Sequence, residues 1–153
     1  MSYVIDTNVL VLLHRYTPRE IHPSLWDAWE ALIAAGRAVI PREVSRELGR
    51  GDDTLSNWAK RLDYFIDEPS QEDVDLVQKI SDRYPNWVFE QQNAADPWVI
   101  AHACRRKAFV VTDERAKGPG TADRNLKIPN VAAEFQVSCI NPIELARREC
   151  WRF

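Results

Sequence analysis

Val4–Tyr16 reads VIDTNVLVLLHRY. An apolar run breaks on an acid, Asp6, is followed by Thr7 and Asn8, and then resumes with helical spacing. We read Ser2–Asp6 as a buried strand and Val9–Tyr16 as a helix. A carboxylate therefore falls where a buried strand meets a helix. Asp is a favoured helix cap, which is the plain explanation. The other is that the acid stands at a sheet edge to do chemistry.

Working outward, strand and helix patterns alternate along the chain. Ser24-Leu25-Trp26-Asp27 resembles a capping box. Leu25, Trp29, Leu32 and Ile33 then share one helical face, and Gly36 stops the helix. Ala38–Ile40 reads as a strand. Pro41 opens a helix at its first turn, with Val44 and Leu48 inside, and Gly49–Asp53 reads as a break. Thr54–Leu62 reads as a helix and Tyr64–Ile66 as a minor strand. Ser70 and Asp73 predict a cap for a helix reaching Tyr84, with Val74, Val77, Ile80 and Tyr84 inward. Asp96-Pro97 begins a helix to about Arg106, and Ala108–Thr112 is a strand. Lys117–Asp123, with two glycines and a proline, is a loop. Val131–Phe135 is a short helix, Val137–Ile140 a last strand and Pro142–Arg148 a last helix. This alternation predicts an α/β fold: a mostly parallel sheet of about four or five strands, covered on both sides. No break in composition divides residues 1–153, so a single domain is expected.

In an open parallel sheet, ligands sit beyond the carboxyl ends of the strands. Asp6 ends the first strand, and Asp113 and Glu114 follow the strand FVVT. Asp96 precedes Pro97, where an ordinary helix cap would also sit. Glu43 and Glu47 are four residues apart and share a helix face that can reach the same edge. Each acid alone has a structural explanation. The two strand-end positions together point to a carboxylate cluster. Such a cluster repels itself, and burial raises its pKa values, so it calls for a cation. Hard oxygen ligands without nearby His or Cys suit Mg²⁺ or Mn²⁺. Those ions can activate water and stabilise charge on a phosphoryl oxygen, which makes phosphodiester cleavage the natural chemistry.

Bulk composition narrows the field little. The 153 residues are 45% hydrophobic, enough for one core. Twenty basic against 23 acidic residues give a net charge of −3, so no overall basic footprint announces a nucleic-acid partner. No apolar run approaches bilayer length and the N-terminus lacks a signal-peptide layout; a cytoplasmic protein without a membrane partner is expected. Cys104, Cys139 and Cys150 are odd in number and widely spaced, and are expected to be buried thiols rather than zinc ligands or disulfides. His14, His22 and His102 lack ligand spacing. Most of the six tryptophans should be core, and an exposed pair would mark a partner surface.

At the acids the chain resembles the PIN-domain ribonucleases, in particular the small VapC-like toxins of toxin–antitoxin pairs. VIDTNVLV looks like the family's opening acid motif, with Asp6 as the acid and Thr7 and Asn8 as supporting residues. PREVSREL looks like its second motif, placing the second acid at Glu47 rather than Glu43. AADPWVIAHA looks like the third, with Asp96. VVTDE looks like the fourth, selecting Glu114 with Asp113 adjacent. The following segment RAKGPGTADRNLKIP departs from the family's short turn, leaving Asp113 or Asp123 open as the fourth acid.

The resemblance implies a three-layer α/β/α, Rossmann-like PIN fold and an Mg²⁺ or Mn²⁺ site held by Asp6, Asp96, Glu47 and Glu114, with Asp113 beside them. It implies endonucleolytic cleavage of RNA, frequent homodimers and inhibition by a cognate antitoxin protein. On that reading Asn8 and Thr112 orient the acids or the attacking water. Arg46, Arg50, Arg115 and Lys117 flank the acids as candidate phosphate contacts, while Lys60-Arg61, Arg105–Lys107 and Arg147-Arg148 read as surface. Trp98 reads as core. Two rivals differ in kind. One is a catalytically silent PIN-like scaffold that binds RNA or protein. The other is a phosphoacceptor domain, disfavoured because VIDTN holds a single acid and SCINP lacks a lysine.

Overall fold

The computed structural model describes residues 1–153. Five short strands form one parallel sheet: β1 (Tyr3–Ile5), β2 (Ala38–Pro41), β3 (Ile66–Asp67), β4 (Phe109–Val111) and β5 (Cys139–Ile140). Their order is β3-β2-β1-β4-β5. β1 is central and completely buried, as suits an apolar strand in a parallel sheet covered on both faces. In register, Tyr3 lies beside Ala38 and Phe109, Val4 beside Val39 and Val110, and Ile5 beside Val111. The chain moves outward from β1 to β3, then returns to the other side of β1 for β4 and β5. That reversal opens a crevice at the carboxyl ends of β1 and β4.

Eight helices connect and cover the strands: α1 (Thr7–Tyr16), α2 (Pro23–Ala34), α3 (Arg42–Gly51), α4 (Asp53–Arg61), α5 (Gln71–Arg83), α6 (Asp96–Arg106), α7 (Ile128–Glu134) and α8 (Pro142–Arg148). The architecture is the expected α/β one, a parallel sheet covered by helices. α2 starts at Pro23, one residue before the expected Ser24, and His22 at its cap position makes no side-chain cap bond. The capping-box reading of Ser24 and Asp27 therefore fails, because proline already supplies a first-turn residue that needs no donor partner. Pro41 ends β2 and stands at the cap position of α3 rather than inside the helix.

α3 runs on through Gly49 to Gly51, where a break was expected. Two glycines cost about 1 kcal/mol each in a helix. Here buried Val44 and Leu48 anchor the helix, and Asp52 ends it by capping α4, accepting from the Leu55 N–H at 3.1 Å. α5 has the expected capping box: the Asp73 N–H donates to Ser70 Oγ at 3.3 Å, and the Ser70 N–H to Asp73 Oδ2 at 2.9 Å.

The inner face of α5 differs from its hydropathy pattern. Val74 is exposed, whereas Asp73 is wholly buried beside Ile80. Asp73 accepts the Arg105 Nε–H on both carboxylate oxygens at 2.9 Å, and Arg105 Nη2 donates to Asp67 Oδ2 at 2.6 Å. His102 Nδ1 lies 2.8 Å from the same Asp67 oxygen. Burial acts against the Asp67 charge, but His102 and Arg105 hold its carboxyl below the usual range. Arg105 and His102 thus tie α6 to α5 and to the edge strand β3, and Arg105 is not the free surface cation its sequence suggests.

The core gathers Trp26, Trp29, Trp58 and Trp87 with the sheet residues. Burying a large apolar side chain is worth about 1.5–3 kcal/mol each, so this set anchors the helices firmly. Trp98 and Trp151 are half-buried; no tryptophan pair is exposed, and Trp98 stands outside the fully buried core. The cysteines reverse their expected placement: Cys104 and Cys150 are exposed and Cys139 is intermediate. No helix is long and apolar enough to cross a membrane.

Candidate active site

Asp6 occupies the cap position of α1, yet its side chain makes no cap bond to that helix. The Thr112 hydroxyl, at the end of β4, instead donates to Asp6 Oδ2 at 2.8 Å. Register explains the meeting: Ile5 pairs with Val111, so the next residue of each strand emerges side by side in the crevice. The Asp6 N–H continues the ladder by donating to the Val111 carbonyl at 2.9 Å. Thr112 Oγ1 also accepts the Glu114 N–H at 3.1 Å, which fixes the turn carrying Glu114.

Asp96 is likewise not a cap. Ala95 holds the cap position of α6, and Asp96 is the first helical residue, 8% exposed. The first turn of a helix is a favourable place for a carboxylate, and Pro97 tolerates its own missing donor there. Glu47 projects from α3 toward both neighbours. Its Oε2 accepts the Thr7 hydroxyl at 2.5 Å, and its Oε1 accepts the Ala95 N–H at 3.3 Å. Glu47 therefore bridges the starts of α1 and α6, which carry Asp6 and Asp96. Glu43, one turn earlier, lies 3.7 Å from Arg42, and its Oε2 is buried without a hydrogen-bond partner.

The electrostatics show which acids share a space. Asp6 is 3% exposed, and its pKa is pushed up to about 7, first by burial and then by the charges of Glu114 and Glu47. Thr112 and the Thr7 backbone act in the opposite direction. Asp96 is raised well above the ordinary carboxylate range, again first by burial, then by Asp6, Glu114 and Glu47. Lys127 is the cation that opposes this rise. Asp6, Glu47, Asp96 and Glu114 thus form one mutually repelling group, drawn from four separate segments.

The other acids differ in placement. Asp113 is exposed; it borders both an apolar groove and a polar pocket that Thr112 and Glu114 also line. Asp123 acts on Arg83 and Tyr84. Asn8 is on the first turn of α1, and its Oδ1 is buried without a hydrogen-bond partner. Arg46 and Arg115 are exposed.

Four carboxylates, two of them buried acids that resist ionisation, suit a hard divalent cation, although the Cys139 thiol lies beside them where no cysteine was expected. The orphaned Asn8 Oδ1 adds a further oxygen in want of a partner. As the side chains stand, no three Asp, Glu, His or Cys groups come close enough together to hold one ion. Glu47 and Glu114 are engaged by protein donors, Glu114 Oε2 accepting the Ile128 N–H at 2.9 Å. Two members of the site carried little sequence signal. Lys127 lies thirteen residues beyond the last acid, in a segment that reads only as loop. Cys139 sits on β5, its thiol pushed up to about 12 by burial and then by Asp6 and Glu114.

Comparison with known proteins agrees with this architecture. Among solved structures, FitAcB from Neisseria gonorrhoeae superposes with a TM-score of 0.54 at 19% identity, covering 92% of this chain and 98% of that one. VapBC2 from Rickettsia felis, bound to a DNA fragment from their promoter, gives a TM-score of 0.52 at 15% identity, with the same coverage. At these identities the likeness is one of fold. No curated protein sequence matches the chain. The family model described as a domain of unknown function, DUF4411, matches residues 3–153, and the chain belongs to that family.

Proposed function

We propose that this chain is an Mg²⁺- or Mn²⁺-dependent endoribonuclease and the toxin of a toxin–antitoxin pair. One observation carries the reading: Asp6 and Asp96 are both buried, and Glu47 reaches the residues adjoining each of them, Thr7 and Ala95, beside the crevice at the carboxyl ends of β1 and β4. Uncompensated acids at that position are costly for the fold and useful to a cation. The fold shared with FitAcB and VapBC2, PIN-domain toxin–antitoxin complexes, supports the same reading.

Asp6 and Asp96 would hold the metal, with Glu47 and Glu114 completing the pocket directly or through water. When bound, the ion would activate water and offset charge growing on the phosphate oxygens. The protein's share is orientation. Thr112 aims Asp6 and steadies the Glu114 turn, Thr7 and the Ala95 N–H aim Glu47, and Asn8 offers an unpaired oxygen to the attacking water. An antitoxin has a place to dock away from the acids. An apolar groove of about 400 Å³ lies between α1, α2 and α8, lined by Leu12, Leu13, Trp29, Ile143, Trp151 and Phe153.

The test is cleavage of a mixed pool of structured and unstructured RNAs by the purified chain with Mg²⁺, Mn²⁺ or EDTA. Metal-dependent cuts that vanish in both Asp6→Asn and Asp96→Asn support the assignment. Full activity in either variant, or binding without cleavage under every metal condition, rejects it; the latter favours the silent scaffold.

A further inference from the structure

Beside the acid site the long segment after Glu114 builds a second feature. It forms a cleft of about 390 Å³ lined by Lys117, Arg124 and Lys127 with Gln92, Asn93 and Asn125, and by no carboxylate. Its volume falls within the range of ligand pockets. The cations of this cleft take no part in the molecule's ion pairs, which other residues make.

The cleft is built, not incidental. Asn130 clamps both ends of the segment: its Oδ1 accepts the Lys117 N–H at 2.9 Å and the Lys127 N–H at 3.0 Å, while its Nδ2 donates to the Lys117 carbonyl at 2.9 Å. Two lysines ten residues apart are thereby held at one neck. Gln92 Nε2 donates to the Arg124 carbonyl at 3.2 Å and closes the opposite wall.

The cleft also joins the acid site. Ile128, next to Lys127, donates its N–H to Glu114, and Asn93 accepts the Asp96 N–H on its carbonyl at 3.1 Å. An aromatic stands at its margin: Phe89 is 66% exposed and exchanges two backbone hydrogen bonds with Gln92. Exposed cations tracking a backbone, with an aromatic face for a base, are the means by which proteins hold single strands.

We infer that the cleft of Lys117, Arg124 and Lys127, with Phe89 at its edge, binds the phosphate backbone of single-stranded RNA next to the acid site. This rests on the nuclease reading for its purpose, but its binding can be measured apart from cleavage. A fluorescently labelled oligouridine is titrated with the chain in EDTA over a salt series, and binding is read by anisotropy. Each phosphate contact to a single strand contributes about 0.7 to the slope of log K against log salt. The variant Lys117→Gln/Arg124→Gln/Lys127→Gln should therefore bind more weakly with a slope shallower by about 2. The variant Lys60→Gln/Lys79→Gln/Arg147→Gln has the same net charge and should keep the wild-type slope. Phe89→Ala should weaken binding by about 5-fold or more without changing the slope, because stacking releases no counterions. A wild-type chain that does not bind, or a cleft variant that binds as the charge-matched control does, overturns the inference. Cleft-dependent binding without metal-dependent cleavage sinks the nuclease reading alone. Cleavage that persists while the cleft variant binds normally sinks the cleft alone.

Discussion

Replacing Asp6 by Asn should make the protein more stable at pH 8 and not at pH 4. In the folded chain the Asp6 carboxyl is raised from 3.8 to about 7. Between those values the folded state holds a proton that the unfolded state has lost. The group's favourable contribution is thus complete below about pH 4 and disappears as pH rises through 7. Three pKa units at about 1.36 kcal/mol each give a penalty of roughly 4 kcal/mol once the acid is ionised. Asp6 is 3% exposed, so solvent screens little of it. Asparagine carries no charge, but it weakens the bond from Thr112, at a cost of about 1–1.5 kcal/mol. The net gain at pH 8 is about 2–3 kcal/mol, or a Tm rise of roughly 5–10 °C in a chain of this length. At pH 4 only the weakened bond remains and the variant should melt slightly lower. Calorimetry in EDTA from pH 4 to pH 8 measures both. A Tm difference that is absent at pH 8, or constant across the range, refutes the account of Asp6 as a buried, repelled carboxylate.

Other consequences are simpler to read. At pH 8 a thiol reagent should label Cys104 and Cys150 quickly and Cys139 only after unfolding, since the first two are exposed and the third is pushed up to about 12; three equally fast thiols would contradict this. Asp73→Ala should cost about 3–5 kcal/mol by stranding Arg105 beside buried His102, visible as a shift in the urea midpoint; a shift under 1 kcal/mol would show that Arg105 is carried by Asp67 alone. In the cleavage assay Glu114→Gln should abolish or strongly reduce cutting while Asp113→Asn leaves it intact, because Glu114 is half-buried and its charge reaches both buried acids whereas Asp113 is exposed; the reverse ranking would move the fourth acid to Asp113.

The strands and the parallel sheet were legible because each buried strand is a short apolar run and the helices between them hold their period. Charge-bearing positions were harder. Hydropathy assigned Val74 to the inside of α5, but buried Asp73 takes that role because Arg105, some thirty residues away, pairs with it. No local pattern records such a partner. For the same reason Asp6 and Asp96 read equally well as caps. Only the direction of the Thr112 hydroxyl and the location of the cap at Ala95 remove that reading. The cysteines failed as core residues because a small thiol does not signal which helix face it occupies: Cys104 is exposed beside buried Ala103 on α6, and Cys150 lies just past the end of α8.

The meeting of the acids depends on sheet register more than on any single motif. Asp6 and Thr112 stand together because Ile5 pairs with Val111 across β1 and β4. A slip of one residue would send Thr112 to the opposite face of the sheet, leaving Asp6 without its donor and Glu114 without its anchor. Glu47 guards the same alignment from the helical side, since Thr7 and Ala95 both bind it and they flank the two buried acids. The carboxylates therefore come together only when sequence segments more than a hundred residues apart have docked. Their repulsion is a cost imposed on that docking, and the buried apolar strand β1, fully enclosed between its neighbours, is what the fold sets against it.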